Sequence, residues 1–264
     1  MHVSSSTAEW LCRRAALGGR AVGFVPTMGA LHRGHAALVE RCRRENQVVV
    51  ASIFVNPTQF NDPKDLERYP RTLDGDLALL EELGTDEVIL PSAPELYPHG
   101  YRFRIEAEEL TGFMEGRNRP GFLQGVMTVV MKLLNLVRAD RAYFGEKDYQ
   151  QLRTVTEMAA EFFIPTAIVP CPTVRAASGL AESSRNRLLS AAGRERAAVI
   201  FRALTEASTA DEAKARMEAC GLAVEYVEEH WGRRFAAAFL EGVRLIDNVP
   251  LERQSTGVAD ASLP

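Results

Sequence analysis

The chain has 264 residues, of which 46% are hydrophobic and 25% are charged, a balance typical of one large or two modest globular domains. Its formal net charge of −4 argues against nucleic acid or an anionic membrane surface as a partner. The four cysteines, Cys12, Cys42, Cys171 and Cys220, include no Cys-x-x-Cys pair, so neither a disulfide framework nor a zinc knuckle is expected.

Five short apolar runs predict strands, over residues 21–26, 48–55, 86–91, 141–146 and 166–172. Their near-continuous apolar character predicts burial on both faces. Helical patterns lie between them in "HAALVERCRREN", "LDGDLALLEEL", "GVMTVVMKLLNLV" and "YQQLRTVTEMAAEFF". Strands that alternate with helices predict an α/β fold with a Rossmann-like parallel sheet, which binds its ligands at the carboxyl ends of the strands.

The pattern changes after about Thr173. Helices are predicted over "AAGRERAAVIFRALTEAS" and "ADEAKARMEAC", and strands over "AVEYVEE" and "RFAAAFLEGVRLID". We therefore expect a Rossmann-like domain over 1–172 and a smaller C-terminal α+β domain over 173–264, with residues 254–264 frayed. No apolar run approaches the 20 residues or so that a bilayer requires, and no secretory signal is recognisable. A cytoplasmic protein is predicted.

The stretch "PTMGALHRGH" leaves the first predicted strand and enters the first long helix. Gly29 and Gly34 permit tight turns and close approach of a ligand. The N-terminus of the helix attracts anions, and His32 and His35 could each donate a hydrogen bond to a phosphate. The alternative is a glycine loop with two solvated histidines. A zinc site is disfavoured, because helical zinc pairs are spaced i, i+4 with a glutamate between them.

Amide side chains follow the second strand. Asn56 and Gln59 in "FVNPTQF" could bind a hydroxyl or a carboxylate, or they could simply be turn residues around Pro57. Asp76 in "LDGDL" could hold Mg²⁺, although an acidic residue in the first turn of a helix is the simpler interpretation.

A third group, in "YFGEKDYQQL", leaves the fourth predicted strand. Gly145 permits a tight strand exit, Lys147 offers a charge for a phosphate, and Asp148 could accept from ribose hydroxyls. Gln151 would face the same pocket one helical turn later. A solvated helix cap is the alternative interpretation.

A fourth group, "ESSRNR", offers two hydroxyls and Arg185 as a phosphate clamp, although such sequences are common in loops. Three of the four groups lie at predicted carboxyl ends of the sheet. Together they contain no Ser-His-Asp arrangement and no metal cage. They favour a triphosphate site that acts by positioning and charge neutralisation, without a covalent enzyme intermediate.

These stretches resemble the pantothenate synthetase (pantoate–β-alanine ligase) family. The similar segments are "PTMGALHRGH", "SIFVNPTQF", "RYPRTLDGDL", "DRAYFGEKDYQQL", "PTVR", "SSRNR" and "RLIDN". The resemblance implies a fold of the HxGH nucleotidyltransferase superfamily. Residues 1–172 would bind nucleotide and pantoate, and the C-terminal domain, residues 173–264, would close over the site as a lid. It implies that ATP and pantoate form an enzyme-bound pantoyl adenylate and pyrophosphate, and that β-alanine then gives pantothenate and AMP. It also implies Mg²⁺ and a homodimer.

The resemblance assigns roles to individual residues. For ATP binding it implies Met28, Gly29, Ala30, Leu31, His32, Arg33, Gly34, His35, Gly145, Glu146, Lys147, Asp148, Val174, Glu182, Ser183, Ser184 and Arg185. His35, as proton donor, would act in catalysis with His32, Lys147 and Arg185. Gln59 and Gln151, with Asn56 nearby, would bind pantoate and β-alanine. Asp76 would be associated with Mg²⁺, Asp148 with ribose, and the Val174 backbone with adenine.

The chain departs from the family pattern in a few places. Phe122 and Leu123 replace a common His-Phe pair, Ala176 and Ser178 stand where acidic residues are typical, and Glu182 replaces an apolar residue. We expect the Glu182 carboxylate to repel a triphosphate. Three alternatives remain: another HxGH nucleotidyltransferase that activates a different small acid, a non-catalytic scaffold, or an RNA-binding module. The last two are disfavoured by the retained His35, Lys147 and Arg185 and by the acidic net charge.

Overall fold

A computed structural model of the chain describes residues 1–251. Contacts divide the described residues into two compact units: residues 1–177 with 181–188, and residues 178–180 with 189–251. The first unit thus continues beyond the predicted boundary at residue 173 and includes the "SSRNR" motif. The assignment of nucleotide-binding and lid roles to two domains stays a prediction. The expected frayed segment 254–264 lies outside the described residues.

The first unit contains the predicted parallel sheet. Its strands are β1 (His2–Ser4), β2 (Val22–Thr27), β3 (Val48–Ile53), β4 (Glu87–Ile89), β5 (Arg141–Gly145) and β6 (Ala167–Cys171). Their order is β1-β4-β3-β2-β5-β6, and every neighbouring pair is parallel. The sequence predicts five of these strands. It misses β1, because three residues are too few to show a periodicity.

Helices connect the strands of the first unit. They are α1 (Thr7–Ala16), α2 (Arg33–Glu45), α3 (Pro63–Arg68), α4 (Leu73–Glu82), α5 (Ala93–Leu96), α6 (Glu108–Thr111), α7 (Met114–Asn118), α8 (Phe122–Val137) and α9 (Tyr149–Glu161). Short 3₁₀ turns cover Pro57–Gln59, Glu146–Asp148 and Ser184–Leu188. The predicted helices at α2, α4, α8 and α9 are confirmed. No helix within residues 1–251 is long and apolar enough to cross a bilayer.

The sheet of this unit has a hydrophobic layer on each face. Phe24 and Val25 are consecutive and fully buried, yet they belong to different core clusters. Successive strand residues point to opposite faces, so a strand covered on both faces must be apolar at every position. Trp10 of α1 and Leu134 of α8 complete one cluster, and Leu80 of α4 contributes to the other. This explains the near-continuous apolar runs.

The second unit contains a separate antiparallel sheet. Its strands are β7 (Ala223–His230), β8 (Arg233–Leu240) and β9 (Val243–Pro250), and its helices are α10 (Ala191–Ala197), α11 (Val199–Glu206) and α12 (Ala210–Ala219). Helix α11 packs against β9, and α12 packs against β7. The single helix predicted over "AAGRERAAVIFRALTEAS" is therefore two helices, which meet at Ala198. The predicted α+β character is confirmed.

The strand order positions the chemistry. Strand β2 lies between β3 and β5. The segments that follow these three strands carry "MGALHRGH", "NPTQ" and "EKDYQQ". In a parallel sheet the carboxyl ends of adjacent strands share one edge, so three of the four predicted site segments emerge side by side.

Candidate active site

The loop after β2 is held by a buried carboxylate from α4. Asp76 is 3% exposed, and its oxygens accept hydrogen bonds from the backbone N–H groups of Ala30 at 2.9 Å and Leu31 at 2.8 Å. The loop turns at Gly29, whose φ of +76° lies in the left-handed region. A Cβ at Gly29 would also lie 2.9 Å from Asp76 Oδ2. Both features require glycine here.

The two imidazoles of the motif lie against each other where α2 begins. His32 is the N-cap residue, and its Nδ1 accepts the backbone N–H of Gly34 at 3.1 Å. The Nδ1 of His35 lies 3.4 Å from the backbone nitrogen of His32, which closes a reciprocal cap. The ring centroids are 4.1 Å apart. A Cβ at Gly34 would come within 2.8 Å of the His32 ring, so this cap depends on glycine.

Both imidazoles are neutral at pH 7. Burial, followed by the neighbouring imidazole, Lys147 and Arg187, lowers the pKa of His32 to about 3. Burial lowers the pKa of His35 to about 4, and the same two cations act in the same direction. Because each Nδ1 accepts a backbone hydrogen bond, the ring proton lies on Nε2. Each ring is therefore an uncharged hydrogen-bond donor that could face an anion, and the donor role of His35 stays a prediction.

The segment after β5 places the Lys147 ammonium near the imidazoles of His32 and His35. Lys147 lies in the 3₁₀ turn, with its Nζ 3.5 Å from Asp148 Oδ1. It is close enough to influence the pKa of both imidazoles. Gly145 has a φ of −78°, which any residue can adopt, so the backbone conformation at this strand exit does not itself require glycine. A Cβ at Gly145 would meet no atom within 4 Å, and this space is open to a ligand.

Asn56, at the end of the segment after β3, is fully bonded within the protein. Its Nδ2 donates to Gln59 Oε1 at 3.0 Å and to the carbonyl of Gly125 at 3.2 Å. Its Oδ1 accepts from the hydroxyls of Tyr97 at 2.9 Å and Thr58 at 3.1 Å. These bonds use both donors and both acceptor positions of the amide. Asn56 therefore holds the amide of Gln59 in place, and its predicted contact with substrate stays a prediction.

Two glutamines offer amides near the edge of the sheet. Gln59 Nε2 donates to Met28 Sδ at 3.1 Å, which joins the segment after β3 to the loop after β2. Gln151 is half-buried in the first turn of α9, and its side chain has no hydrogen-bond partner within residues 1–251. Its neighbour Gln150 is buried and bonds to three backbone groups. Of the two adjacent glutamines, Gln151 is thus the one open to a ligand.

The segment from Glu182 to Arg187 lies beside the histidine loop. The backbone N–H of Glu182 donates to the carbonyl of Val174 at 2.9 Å. The Cβ of Glu182 lies 3.6 Å from where a Cβ on Gly34 would be. Arg187 Nη2 donates to the carbonyl of Leu31 at 2.7 Å. The Arg187 guanidinium therefore reaches the loop before α2, and the side chain of Glu182 begins beside the N-terminal end of that helix.

The predicted phosphate clamp contacts the region of α3. Ser183 Oγ accepts the backbone N–H of Arg185 at 3.3 Å. The Ser184 hydroxyl is buried, 3.5 Å from that of Tyr69. The Arg185 guanidinium donates from Nη2 to Asp65 Oδ2 at 2.8 Å.

Two further residues predicted to bind ATP lie at the starts of other elements. Arg33 is the first residue of α2, and Glu146 is the first residue of the 3₁₀ turn after β5.

Three residues that the sequence motifs did not indicate also belong to the site: Arg187, Asp65 and Tyr69. Arg187 lies two positions after Arg185, so its place in "SSRNR" is a usable signal. Asp65 and Tyr69 lie 120 and 115 residues from their partners Arg185 and Ser184. No local pattern identifies contacts of that range.

Phe122, which departs from the family pattern, contacts the side chain of Arg119. The Arg119 guanidinium carbon lies 3.8 Å from the centroid of the Phe122 ring, a cation–π geometry. Arg119 also pairs with Glu115 at 3.5 Å and approaches the Gln59 carbonyl at 3.5 Å. An aromatic ring thus supports a cation beside Gln59, where the similar family commonly has histidine.

The residues present accommodate Mg²⁺ only as a companion of phosphate. Asp76 Oδ1 accepts from Leu31 and from the Thr72 hydroxyl, and Oδ2 accepts from Ala30. Among residues 1–251, no group of three or more His, Cys, Asp or Glu is arranged to hold a metal ion. Mg²⁺ prefers phosphate oxygens and keeps several waters. Asp76 has one lone-pair direction left for it, and a nucleotide would supply the other ligands.

The chain is similar to known proteins of one family over nearly its whole length. The family model described as pantoate-beta-alanine ligase matches residues 2–250. The pantothenate synthetase of Bdellovibrio bacteriovorus is 53% identical over 230 residues, 87% of this chain and 92% of that protein. The one from Legionella pneumophila is 47% identical over 249 residues, 94% of this chain and 99% of that protein.

A solved structure of the same family has the same fold as this chain. The pantoate-beta-alanine ligase from Francisella tularensis, complexed with beta-gamma ATP and beta-alanine, superimposes with a TM-score of 0.91 at 40% identity. The match covers 95% of this chain and 97% of that one. This chain belongs to the pantoate–β-alanine ligase family.

Proposed function

We propose that this chain catalyses the ATP-dependent condensation of pantoate with β-alanine to pantothenate, releasing AMP and pyrophosphate. Family membership over residues 2–250 supports the reaction. The observation that carries the assignment in this chain is the convergence of segments from β2, β5 and residues 182–187 on the N-terminus of α2. A polyphosphate fits this arrangement, because the helix end and the neutral imidazoles offer hydrogen-bond donors and Lys147, Arg185 and Arg187 offer positive charge.

In the first step, a carboxylate oxygen of pantoate attacks the α-phosphorus of ATP, and the bond to pyrophosphate breaks. We assign phosphate contacts to the Nε2–H groups of His32 and His35, to the Lys147 ammonium and to Arg185. Negative charge grows on the leaving pyrophosphate, and these groups stabilise it without forming a covalent bond. Bound Mg²⁺ would neutralise part of the phosphate charge.

In the second step, the amine of β-alanine attacks the acyl carbon of pantoyl adenylate, and AMP leaves. Gln59 and Gln151 are proposed to hold pantoate in place for both steps. Gln59 is fixed by Asn56 and Met28, so the orienting contact is preformed. Preorganisation of this kind lowers the entropic barrier to a reaction between two substrates.

Product analysis by mass spectrometry, with ATP, pantoate and β-alanine, tests the reaction directly. Pantothenate, AMP and pyrophosphate should form in equal amounts. His35→Ala and Lys147→Ala should each lower kcat by about 10²–10³-fold, the usual effect of removing one preorganised charge-stabilising group. Lys214→Ala, on the exposed surface of α12, is the matched control. Absence of pantothenate with the natural chain would refute the proposal.

The alternative function is activation of a different small acid in place of pantoate. Pyrophosphate exchange into ATP, measured with pantoate and then with other hydroxy acids, separates the two possibilities. Pantoate should support the fastest exchange. Faster exchange with another acid would favour a different HxGH transferase.

Dimerisation and a cytoplasmic location, both expected from the sequence, stay predictions. Light scattering measures the first: a homodimer has twice the 29.2 kDa mass of the chain. Fractionation of cells that produce the full-length protein measures the second.

A further inference from the structure

The guanidinium predicted to grip the triphosphate already has an anionic partner. Arg185 Nη2 lies 2.8 Å from Asp65 Oδ2. Asp65 belongs to α3, and both side chains are partly exposed, Arg185 by 26% and Asp65 by 36%. The pair uses one terminal nitrogen and one carboxylate oxygen, so it is not the bidentate arrangement that arginine forms with its strongest partners.

A pair of this type is easily exchanged. Exposed ion pairs contribute little, at most about a five-fold preference for the paired state. A phosphate can accept two hydrogen bonds from the same guanidinium and carries more charge. A carboxylate that remained beside that phosphate would repel it. Phosphate and Asp65 are therefore alternative partners of Arg185, and phosphate is the stronger one.

A second contact keeps the two segments together when the ion pair opens. The Tyr69 hydroxyl lies 3.5 Å from Ser184 Oγ, next to Arg185 in sequence. Tyr69 follows α3 directly. Loss of the Asp65–Arg185 bond thus leaves the carboxylate close by, in position to pair again.

We propose that Asp65 is a built-in competitor of phosphate for Arg185, which lowers the affinity for ATP and helps to release pyrophosphate. This inference rests on the proposed function, because it takes Arg185 to be a phosphate ligand. Asp65 is occupied with Arg185 in the absence of nucleotide, is displaced when the triphosphate binds, and recaptures the guanidinium as pyrophosphate leaves. Asp65 thereby sets nucleotide affinity without touching the reacting atoms.

Calorimetric titration with pyrophosphate and with ATP tests the competition. Asp65→Asn keeps a hydrogen-bond acceptor for Arg185 but removes the charge. It should lower both dissociation constants by about two- to five-fold, since an exposed pair is worth no more than that. It should also strengthen product inhibition by pyrophosphate. Glu67→Gln removes the same charge from an exposed position in the same helix and should change neither constant.

The Arg185→Gln background separates this inference from the proposed function. Arg185→Gln should weaken pyrophosphate binding, and adding Asp65→Asn to it should have no further effect. Unchanged or weaker binding by Asp65→Asn in the natural background would overturn the competitor role and make Asp65 a support for Arg185. If Arg185→Gln itself binds pyrophosphate normally, Arg185 is not a phosphate ligand, and the proposed site fails with the inference. Pantothenate formation reports on the reaction independently.

Discussion

Asp76 and Leu31 are joined by a hydrogen bond of 2.8 Å between a buried carboxylate oxygen and a backbone N–H, across 45 residues of sequence. A second bond, to the N–H of Ala30, makes Asp76 the group that sets the shape of the loop before α2. The carboxylate predicted as a magnesium ligand thus has a structural role that requires no metal.

Substitution of Asp76 should therefore destabilise the protein without nucleotide or Mg²⁺. Asp76→Ala leaves two buried N–H groups without an acceptor, and each charge-assisted bond of this kind contributes about 1.5–3 kcal/mol. We expect the free energy of unfolding in urea to fall by about 2–4 kcal/mol. Asp74→Asn, exposed in the same helical turn, is the control and should change little. Full stability of Asp76→Ala in the presence of EDTA would contradict the structural role.

The histidine pair predicts a pH dependence of stability. Folding lowers the pKa of His32 to about 3 and that of His35 to about 4, against about 6.5 in the unfolded chain. The unfolded state therefore binds more protons below pH 6.5, and the free energy of unfolding falls as the pH drops from about 6.5 towards 4. Above pH 6.5 this contribution is fully present.

Urea titrations between pH 5 and 7 measure that slope. The double variant with His32→Asn and His35→Asn should show a shallower dependence than the natural chain, because the two titrating groups are gone. His99→Asn, at an exposed position, should leave the slope unchanged. Equal slopes for all three proteins would show that the imidazoles are not neutralised by folding.

Glu182 should weaken ATP binding. Its Cβ lies beside Gly34, so we expect its negative charge near the end of α2, where the phosphates are proposed to bind. At about 4 Å in a water-like medium, one unit charge is worth about 1 kcal/mol. Glu182→Leu should therefore lower the dissociation constant of ATP several-fold, by calorimetric titration. Glu40→Gln, exposed on α2, serves as control, and equal or tighter binding by the natural chain would refute the effect.

Two glycines should respond differently to alanine. Gly34→Ala forces the His32 ring away, since the new Cβ would lie 2.8 Å from it. Losing this N-cap should cost about 1 kcal/mol of unfolding free energy, together with catalytic activity. Gly145→Ala meets only open space within 4 Å and should leave stability unchanged. If that space holds nucleotide, KM for ATP should rise, and a normal KM would remove Gly145 from the ATP site.

The sequence could identify most of the secondary structure and the site segments because those signals are local. Apolar runs mark β2, β3, β4, β5 and β6. The glycine and histidine spacing marks the loop before α2, and "EKDYQQ" marks the segment after β5. The short strand β1 and the break at Ala198 produce no comparable local signal. Family resemblance supplied the substrates, which no periodicity can reveal.

Only the tertiary structure decided which polar groups are already in use. Asn56 and Gln59 look alike in sequence, yet Asn56 has all its hydrogen-bonding capacity satisfied within the protein. Asp76 holds a backbone loop, and Arg185 pairs with Asp65 across 120 residues. Sequence alone determined where strands, helices and reactive side chains occur, since these depend on neighbours along the chain. The availability of each side chain depends on partners brought close by folding, which local patterns do not encode.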